Sequence, residues 1–213
     1  MPNRFFLILL NILLPNGIMG LDSVELLMDI EDYFGVTISN SEAEKIYTVQ
    51  QMVDTLANLL IIKDENTDLR DAILERVNHA LINSGISSSP ISPLDFISSY
   101  LSPDNKESWD AFVSELQLKV PKPDTIKENR TKFLNKLMKI VHLHPQYDWR
   151  LITANQFIDA ICAMNYKKFL NPGQIKSKFE IYAAVCAITV KTIGVDYYEV
   201  TPEKSFTSDL GID

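Results

Sequence analysis

The stretch from residue 20 to residue 62 constrains the fold of this chain more than any other. Its first part has an apolar residue every three or four positions and a separate row of acidic residues with similar spacing. The apolar residues are Leu27, Ile30 and Phe34, and the acidic residues are Asp22, Glu25, Asp29 and Asp32. Because both rows repeat with the period of an α-helix, they predict a helix with an apolar stripe against a core and an acidic stripe in solvent.

Two further helix starts follow the break at Gly35. Ser41 with Glu44, and Thr48 with Gln51, have the spacing of a capping box. In that motif the first side chain accepts a hydrogen bond from a backbone N–H, and the second reaches back to the N-cap. The pattern therefore predicts one short and one long helix.

Three segments of this stretch resemble helices two, three and four of the acyl carrier protein family. They are L-D-S-V-E-L-L-M-D-I-E-x-x-F from Leu21, E-A-E-K-I from Glu42 and T-V-x-x-x-V-D from Thr48. Members of that family are small acidic four-helix bundles in which a serine of a D-S-L motif, at the start of helix two, carries 4′-phosphopantetheine. The resemblance implies a carrier, not an enzyme, that holds acyl intermediates as thioesters in fatty-acid or polyketide biosynthesis.

The resemblance also implies functional residues on the first helix. Ser23, preceded by Asp22, is the phosphopantetheine candidate, and a phosphopantetheinyl transferase would then be a partner. Glu25, Asp29 and Asp32 would dock synthase or acyltransferase enzymes that present basic surfaces.

The position of the serine leaves two interpretations open. In the family's D-S-L-x-x-V-E-L order, the place of the modified serine falls here on Gly20, with Met19 before it. Glycine has no side-chain oxygen, so Ser23 is the attachment site only if helix two is three residues shorter than usual. Otherwise Ser23 is an ordinary residue of the first helical turn, and the chain is a carrier-derived helical interaction protein without a prosthetic group.

Composition excludes several classes of function. The chain has 213 residues, of which 46% are hydrophobic, which is enough for a buried core. Its formal net charge of −8 argues against nucleic-acid binding and favours basic partner surfaces. Cys162 and Cys186 lie in apolar helical patterns, which indicates small core residues in a reducing cytoplasm. His142 and His144 have no further metal ligands near them in the sequence, so no metal site is predicted.

Residues 1–18 form an apolar leader. The run from Phe5 to Leu14 is too short to span a bilayer, so no membrane span is predicted. A basic residue before a short apolar run is typical of a signal peptide, but no small-residue cleavage site follows. The alternative is that translation begins at Met19, where the carrier-like pattern starts.

Residues 66–170 are predicted to form a degenerate second carrier-like unit or an inserted helical domain. Thr153–Ile161 repeats Thr48–Leu56 in its capping box, its apolar pair and its Asp. Helices are also predicted from Leu69 to Asn83 and, with a basic amphipathic pattern, from Lys127 to Val141.

One more helix is predicted near Ser108–Leu116. Trp109, Phe112 and Leu116 repeat there at helical spacing and should be buried together. Ser102, which precedes a proline, is either the N-cap of this helix or the counterpart of the family's modified serine.

Residues 175–213 are predicted to contain a last long helix, from Ile175 to Ile193, that ends at Gly194. The F-x-x-D-L-G-x-D sequence that begins at Phe206 then closes the chain. This segment resembles helix one and the long first loop of a carrier protein.

The two ends of the chain complement each other, because residues 19–62 lack a helix one. We therefore predict an all-α fold in which the ends combine as a circularly permuted four-helix bundle, within one chain or between two swapped chains. Tyr182–Ile193 should pack on the helices of residues 19–62, with Phe206 beside them. Asp213 should then lie close to Gly20.

Overall fold

The computed structural model describes residues 21–122 and 147–212. Over these residues the predicted all-α class is confirmed, with two isolated β-bridges and no strand. The eight α-helices are α1 (Leu21–Phe34), α2 (Asn40–Ala43), α3 (Val49–Leu60), α4 (Asp68–Asn83), α5 (Lys106–Leu116), α6 (Ala154–Met164), α7 (Tyr166–Phe169) and α8 (Lys178–Ile193). Within these two segments no helix combines the length and hydrophobicity that a membrane crossing requires.

Some of the sequence-based predictions lie outside the described residues. They concern the leader at 1–18, Met19 and Gly20, the basic helix over 127–141, the pair His142 and His144, and Asp213. The predicted proximity of Asp213 to Gly20 therefore stays a prediction.

The last helix, α8, lies at the centre of the molecule. It packs on α1 and α3, and it also packs on α6 with a smaller contact to α4. Every residue from Ile181 to Thr189 is buried. A helix that is apolar on all sides has to be covered on all sides. α8 is covered by α1 and α3 from the first part of the chain and by α4 and α6 from its middle.

The middle of the chain forms a second set of packed helices. α4 contacts α5 and α6 in the way that α8 contacts α1 and α3. On α5, Trp109, Phe112 and Leu116 are all buried, which confirms the prediction for this helix. Phe112 lies against Phe157 of α6, with 6.0 Å between the ring centroids.

Several helix boundaries follow from capping side chains. The capping boxes predicted at Thr48 with Gln51 and at Thr153 are both present. The box predicted for α2 at Ser41 is wrong, because Ser41 lies inside that helix. The cap is Ser39 in an extended conformation, and its backbone N–H donates to the Glu42 carboxylate at 2.9 Å.

Two further boundaries differ from the prediction. α8 begins at Lys178 because Ser177 is its N-cap, three residues after the predicted start at Ile175. Ser102 is not the N-cap of α5, because Asn105 takes that position and its Oδ1 accepts from the Ser108 N–H at 3.1 Å. Ser102 instead accepts from the Asp104 N–H in the preceding turn.

The described parts of the chain share one hydrophobic core. Its buried residues form a single cluster that runs from Leu26 of α1 through Val77 of α4 to Ile212. Cys162 and Cys186 belong to this cluster, which confirms that they are small core residues, and both are free thiols. The first bundle (α1, α3 and α8) and the second bundle (α4, α5 and α6) therefore meet in a common interior along α8.

Candidate functional site

The first turn of α1 holds the residues for which the resemblance implies phosphopantetheine attachment. Asp22 is exposed, and Ser23, the third residue of the helix, is partly exposed. Near a helix N-terminus the backbone N–H groups and the helix dipole favour a negatively charged substituent such as a phosphodiester.

The apolar face of α1 fixes which way Ser23 and the acidic residues point. Leu26, Ile30 and Phe34 are buried, whereas Leu27, which we predicted in this stripe, is only partly buried. The helix is anchored at its other end by the buried Glu31, whose Oε1 accepts from the backbone N–H of Ile38 at 2.6 Å. This bond closes the turn after Gly35.

The predicted acidic stripe divides into two parts. Glu25 and Asp32 are exposed, as is Asp22. Asp29 instead accepts from Lys191 Nζ at 2.9 Å and from Thr192 Oγ1 at 3.3 Å, so it links α1 to α8. The hydrogen bond between Lys191 and Asp29 raises the pKa of Lys191 above its ordinary value.

The loop that follows α8 docks on the start of α3. Thr48 and Ser205 form an antiparallel bridge. The N–H groups of Val49 and Gln50 donate to the carbonyls of Lys204 at 3.0 Å and Pro202 at 2.8 Å. On the other side of the bridge, the Phe206 N–H donates to the Tyr47 carbonyl at 3.0 Å. The loop thus satisfies N–H groups that a helix start leaves without intrahelical partners.

The loop that follows α4 docks on the start of α6 with the same hydrogen bonds. Thr153 and Phe96 form the antiparallel bridge. The N–H groups of Ala154 and Asn155 donate to the carbonyls of Asp95 at 2.8 Å and Pro93 at 3.0 Å, and the Ile97 N–H donates to the Ile152 carbonyl at 2.9 Å. The second loop therefore repeats the first, residue for residue.

Side-chain burial follows the same correspondence. Three apolar positions of the first loop and their counterparts in the second are all buried. The pairs are Val200 with Ile91, Phe206 with Ile97 and Leu210 with Leu101. In the sequence, the signal of this correspondence is a proline at the same place in T-P-E-K-S-F and S-P-L-D-F-I.

The repeat does not extend to the starts of α1 and α5. Gly35 and Gln117 end α1 and α5 in the left-handed conformation, with φ of 65° and 57°. Counting back twelve residues from each reaches Ser23 and Asn105, and Asn105 is the N-cap of α5. Ser23, at the same distance from its helix end, is the third residue of α1, which begins at Leu21, so α1 is not shortened at this end and Ser23 lies in its first turn.

The comparisons with known proteins do not assign a family. No protein-family model matches this sequence, and no solved structure matches this fold. In the described residues, no cluster of three or more His, Cys, Asp and Glu side chains could hold a metal ion.

Proposed function

We propose that this chain is an acyl carrier protein-like molecule in which Ser23 carries 4′-phosphopantetheine. One observation supports the proposal: α8 and its loop pack on α1 and α3, as the ends of a circularly permuted carrier bundle would. In this proposal α8 is helix one, and α1, α2 and α3 are helices two, three and four.

The sequence supports Ser23 over Gly20 as the attachment site, because Ser23 follows an Asp and glycine has no side-chain oxygen to modify. In the second copy the residues S-P-D-N end at Asn105, and in the first copy the residues G-L-D-S end at Ser23. The acid before each of them, Asp104 or Asp22, corresponds to the Asp of the carrier motif. Asn105 has no hydroxyl, so only the first copy could be modified at this position.

The proposed mechanism is non-catalytic. The phosphopantetheine thiol would hold the acyl group as a thioester, and Glu25 and Asp32 would dock synthase or acyltransferase enzymes with basic surfaces. Asp29 would contribute less to docking because it already pairs with Lys191. We place this activity in the cytoplasm, in fatty-acid or polyketide biosynthesis.

The experiment is incubation of the full chain with a phosphopantetheinyl transferase and coenzyme A, followed by intact mass measurement. We expect a gain of one phosphopantetheine group that Ser23→Ala abolishes. Ser114→Ala is the matched control, because Ser114 is an exposed helical serine on α5. Modification that persists in Ser23→Ala would place the site elsewhere.

The second candidate is a carrier-derived interaction protein without a prosthetic group. Two observations favour it: Gly20 at the family's usual serine position, and an internal partner for Asp29 of the acidic stripe. If the wild-type chain stayed unmodified with each of several transferases of different specificity, that result would support this second function over the first.

A further inference from the structure

Three exposed apolar side chains of the second bundle lie within two residues of the bridge between Phe96 and Thr153. Leu94, Phe96 and Leu151 are 77%, 46% and 62% exposed. Leu94 lies two residues before Phe96, in the turn that the Asp95 N–H closes on the Ser92 carbonyl at 3.0 Å. Thr153 lies opposite Phe96 in the bridge, and Leu151 lies two residues before Thr153, at the end of the 3₁₀ helix Trp149–Leu151. We call these three residues the bridge-face patch.

The fold does not require this patch. At the corresponding positions the first copy has Glu203, Ser205 and the partly buried Ile46. Both loops make the same backbone hydrogen bonds, so polar residues are compatible with this geometry. Single exposed apolar side chains are ordinary, but three grouped around one bridge are typical of an interaction site.

A cleft of about 220 Å³ adjoins the patch, and Leu151 belongs to both. Its charged lining residues are Asp148, Glu199, Glu203, Lys204 and Asp209. Arg150, beside the cleft, pairs with Asp148 at 2.7 Å, and Lys204 lies 3.7 Å from Asp209. Even with Arg150 and Lys204 counted, the carboxylates at the cleft outnumber the positive charges.

We propose that the bridge-face patch and the adjoining cleft bind a basic amphipathic segment of a partner protein. Apolar side chains of the segment would cover Leu94, Phe96 and Leu151, and its Lys or Arg side chains would reach the carboxylates of the cleft. Charge complementarity selects this occupant, because a second copy of a chain with a net charge of −8 would bring further negative charge to the cleft. The patch lies on the second bundle, and the cleft is lined by residues before and at the start of α6 and by the loop that follows α8. The proposal does not depend on modification of Ser23.

The test uses a fluorescein-labelled helical peptide of leucine and lysine, titrated with the full chain and followed by fluorescence anisotropy. The variant combines Leu94→Glu with Phe96→Ser, which installs the residues of the first copy. We expect the variant's affinity for the peptide to fall at least about tenfold, as happens when an anchor residue of a buried interface is removed. A purely electrostatic attraction would instead strengthen, because the variant adds a negative charge.

Two controls make the result specific. Ile61→Ser removes another strongly exposed apolar side chain, on α3's C-terminal turn, and should leave the affinity within about twofold, as for residues outside an interface. A peptide with serine in place of leucine should bind the wild type weakly. Equal affinity of wild type and double variant would overturn the proposal. So would self-association of the free chain that the double variant abolishes, because the patch would then be a dimer interface.

Discussion

Arg70 of α4 and Asp159 of α6 form a bidentate ion pair, with Nε and Nη2 donating to the two carboxylate oxygens at 2.7 and 2.9 Å. The guanidinium also lies 4.4 Å from the ring centroid of Phe179 on α8. The pair thus joins three helices at the place where the two bundles meet. In the first bundle, Lys178 of α8 and Asp54 of α3 form a corresponding pair at 3.1 Å.

The two ion pairs should differ in their contribution to stability. The Arg70 and Asp159 side chains are largely buried, so Asp159→Asn should lower the free energy of unfolding by about 1 to 3 kcal/mol, between the values for exposed and buried pairs. Asp54→Asn, in the more exposed pair, should cost less than about 1 kcal/mol. Urea denaturation of both variants provides the measurement. Equal costs would mean that burial does not distinguish the two pairs.

A second prediction concerns hydroxyl groups in the core. The Tyr33 hydroxyl is buried without a hydrogen-bond partner, whereas the Tyr182 hydroxyl donates to the Val200 carbonyl at 2.9 Å. Removal of an unsatisfied buried group is neutral or favourable, and removal of a bonded one leaves its partner unsatisfied. Tyr33→Phe should therefore keep or raise stability, and Tyr182→Phe should lower it by about 1 kcal/mol. Thermal and urea unfolding of both variants provide the measurement. If Tyr33→Phe lost as much stability as Tyr182→Phe, the Tyr33 hydroxyl would have a hydrogen-bond partner in solution.

Alkaline pH should act on the same residue. Burial, with smaller contributions from Tyr166 and Glu180, raises the pKa of Tyr33 to about 12, above the ordinary value near 10. The fold therefore favours the neutral phenol. The resulting stability is complete below pH 10 and is lost as the pH rises towards 12. Tyr33→Phe should lose less stability than wild type over this interval, as measured by urea midpoints at each pH. Identical losses would assign the effect to other tyrosines.

Local signals were predictable from the sequence, and distant pairings were not. The capping boxes at Thr48 and Thr153 depend on residues three apart, so the sequence contains the whole motif. Ser39 and Ser41 are each followed three residues later by Glu, and only the backbone conformation distinguishes them. The ion pair of Asp29 with Lys191 joins residues 162 positions apart, which no spacing rule can indicate.

The candidate site was predicted in part for the same reason. The row that contains Asp22, Glu25 and Asp32 was evident from helical periodicity, and all three are exposed. The sequence left open whether the first helix is shortened so that it starts at Ser23. The structure begins α1 at Leu21, so Ser23 lies inside the helix, whereas Asn105 is the N-cap of α5. Only the structure distinguishes these two positions.

A further prediction concerns the two thiols. Burial raises the pKa of Cys162 and of Cys186 well above the ordinary value for cysteine. The thiolate is the reactive form, so neither residue should react with iodoacetamide in the native chain at neutral pH. Intact mass should show no adduct in buffer and two adducts in denaturant. Labelling of Cys186 in the native state would show that the contact between α8 and the loop carrying Tyr197 and Val200 opens readily.

The last prediction concerns the C-cap of α3. Ile61 has a left-handed backbone, with φ of 60°, and its side chain is 82% exposed. A β-branched residue is strained in this conformation, and an exposed side chain has little packing to offset the strain. Glycine lacks that strain but loses more conformational entropy on folding. The relief of strain is the larger effect, so Ile61→Gly should raise the free energy of unfolding by about 0.5 to 1 kcal/mol. Gln117→Gly, at the other left-handed non-glycine residue of the described chain, removes the strain of an unbranched side chain and should gain less. Urea midpoints compare the two variants directly, and a loss of stability in Ile61→Gly would mean that the Ile61 side chain makes a contact worth more than its strain.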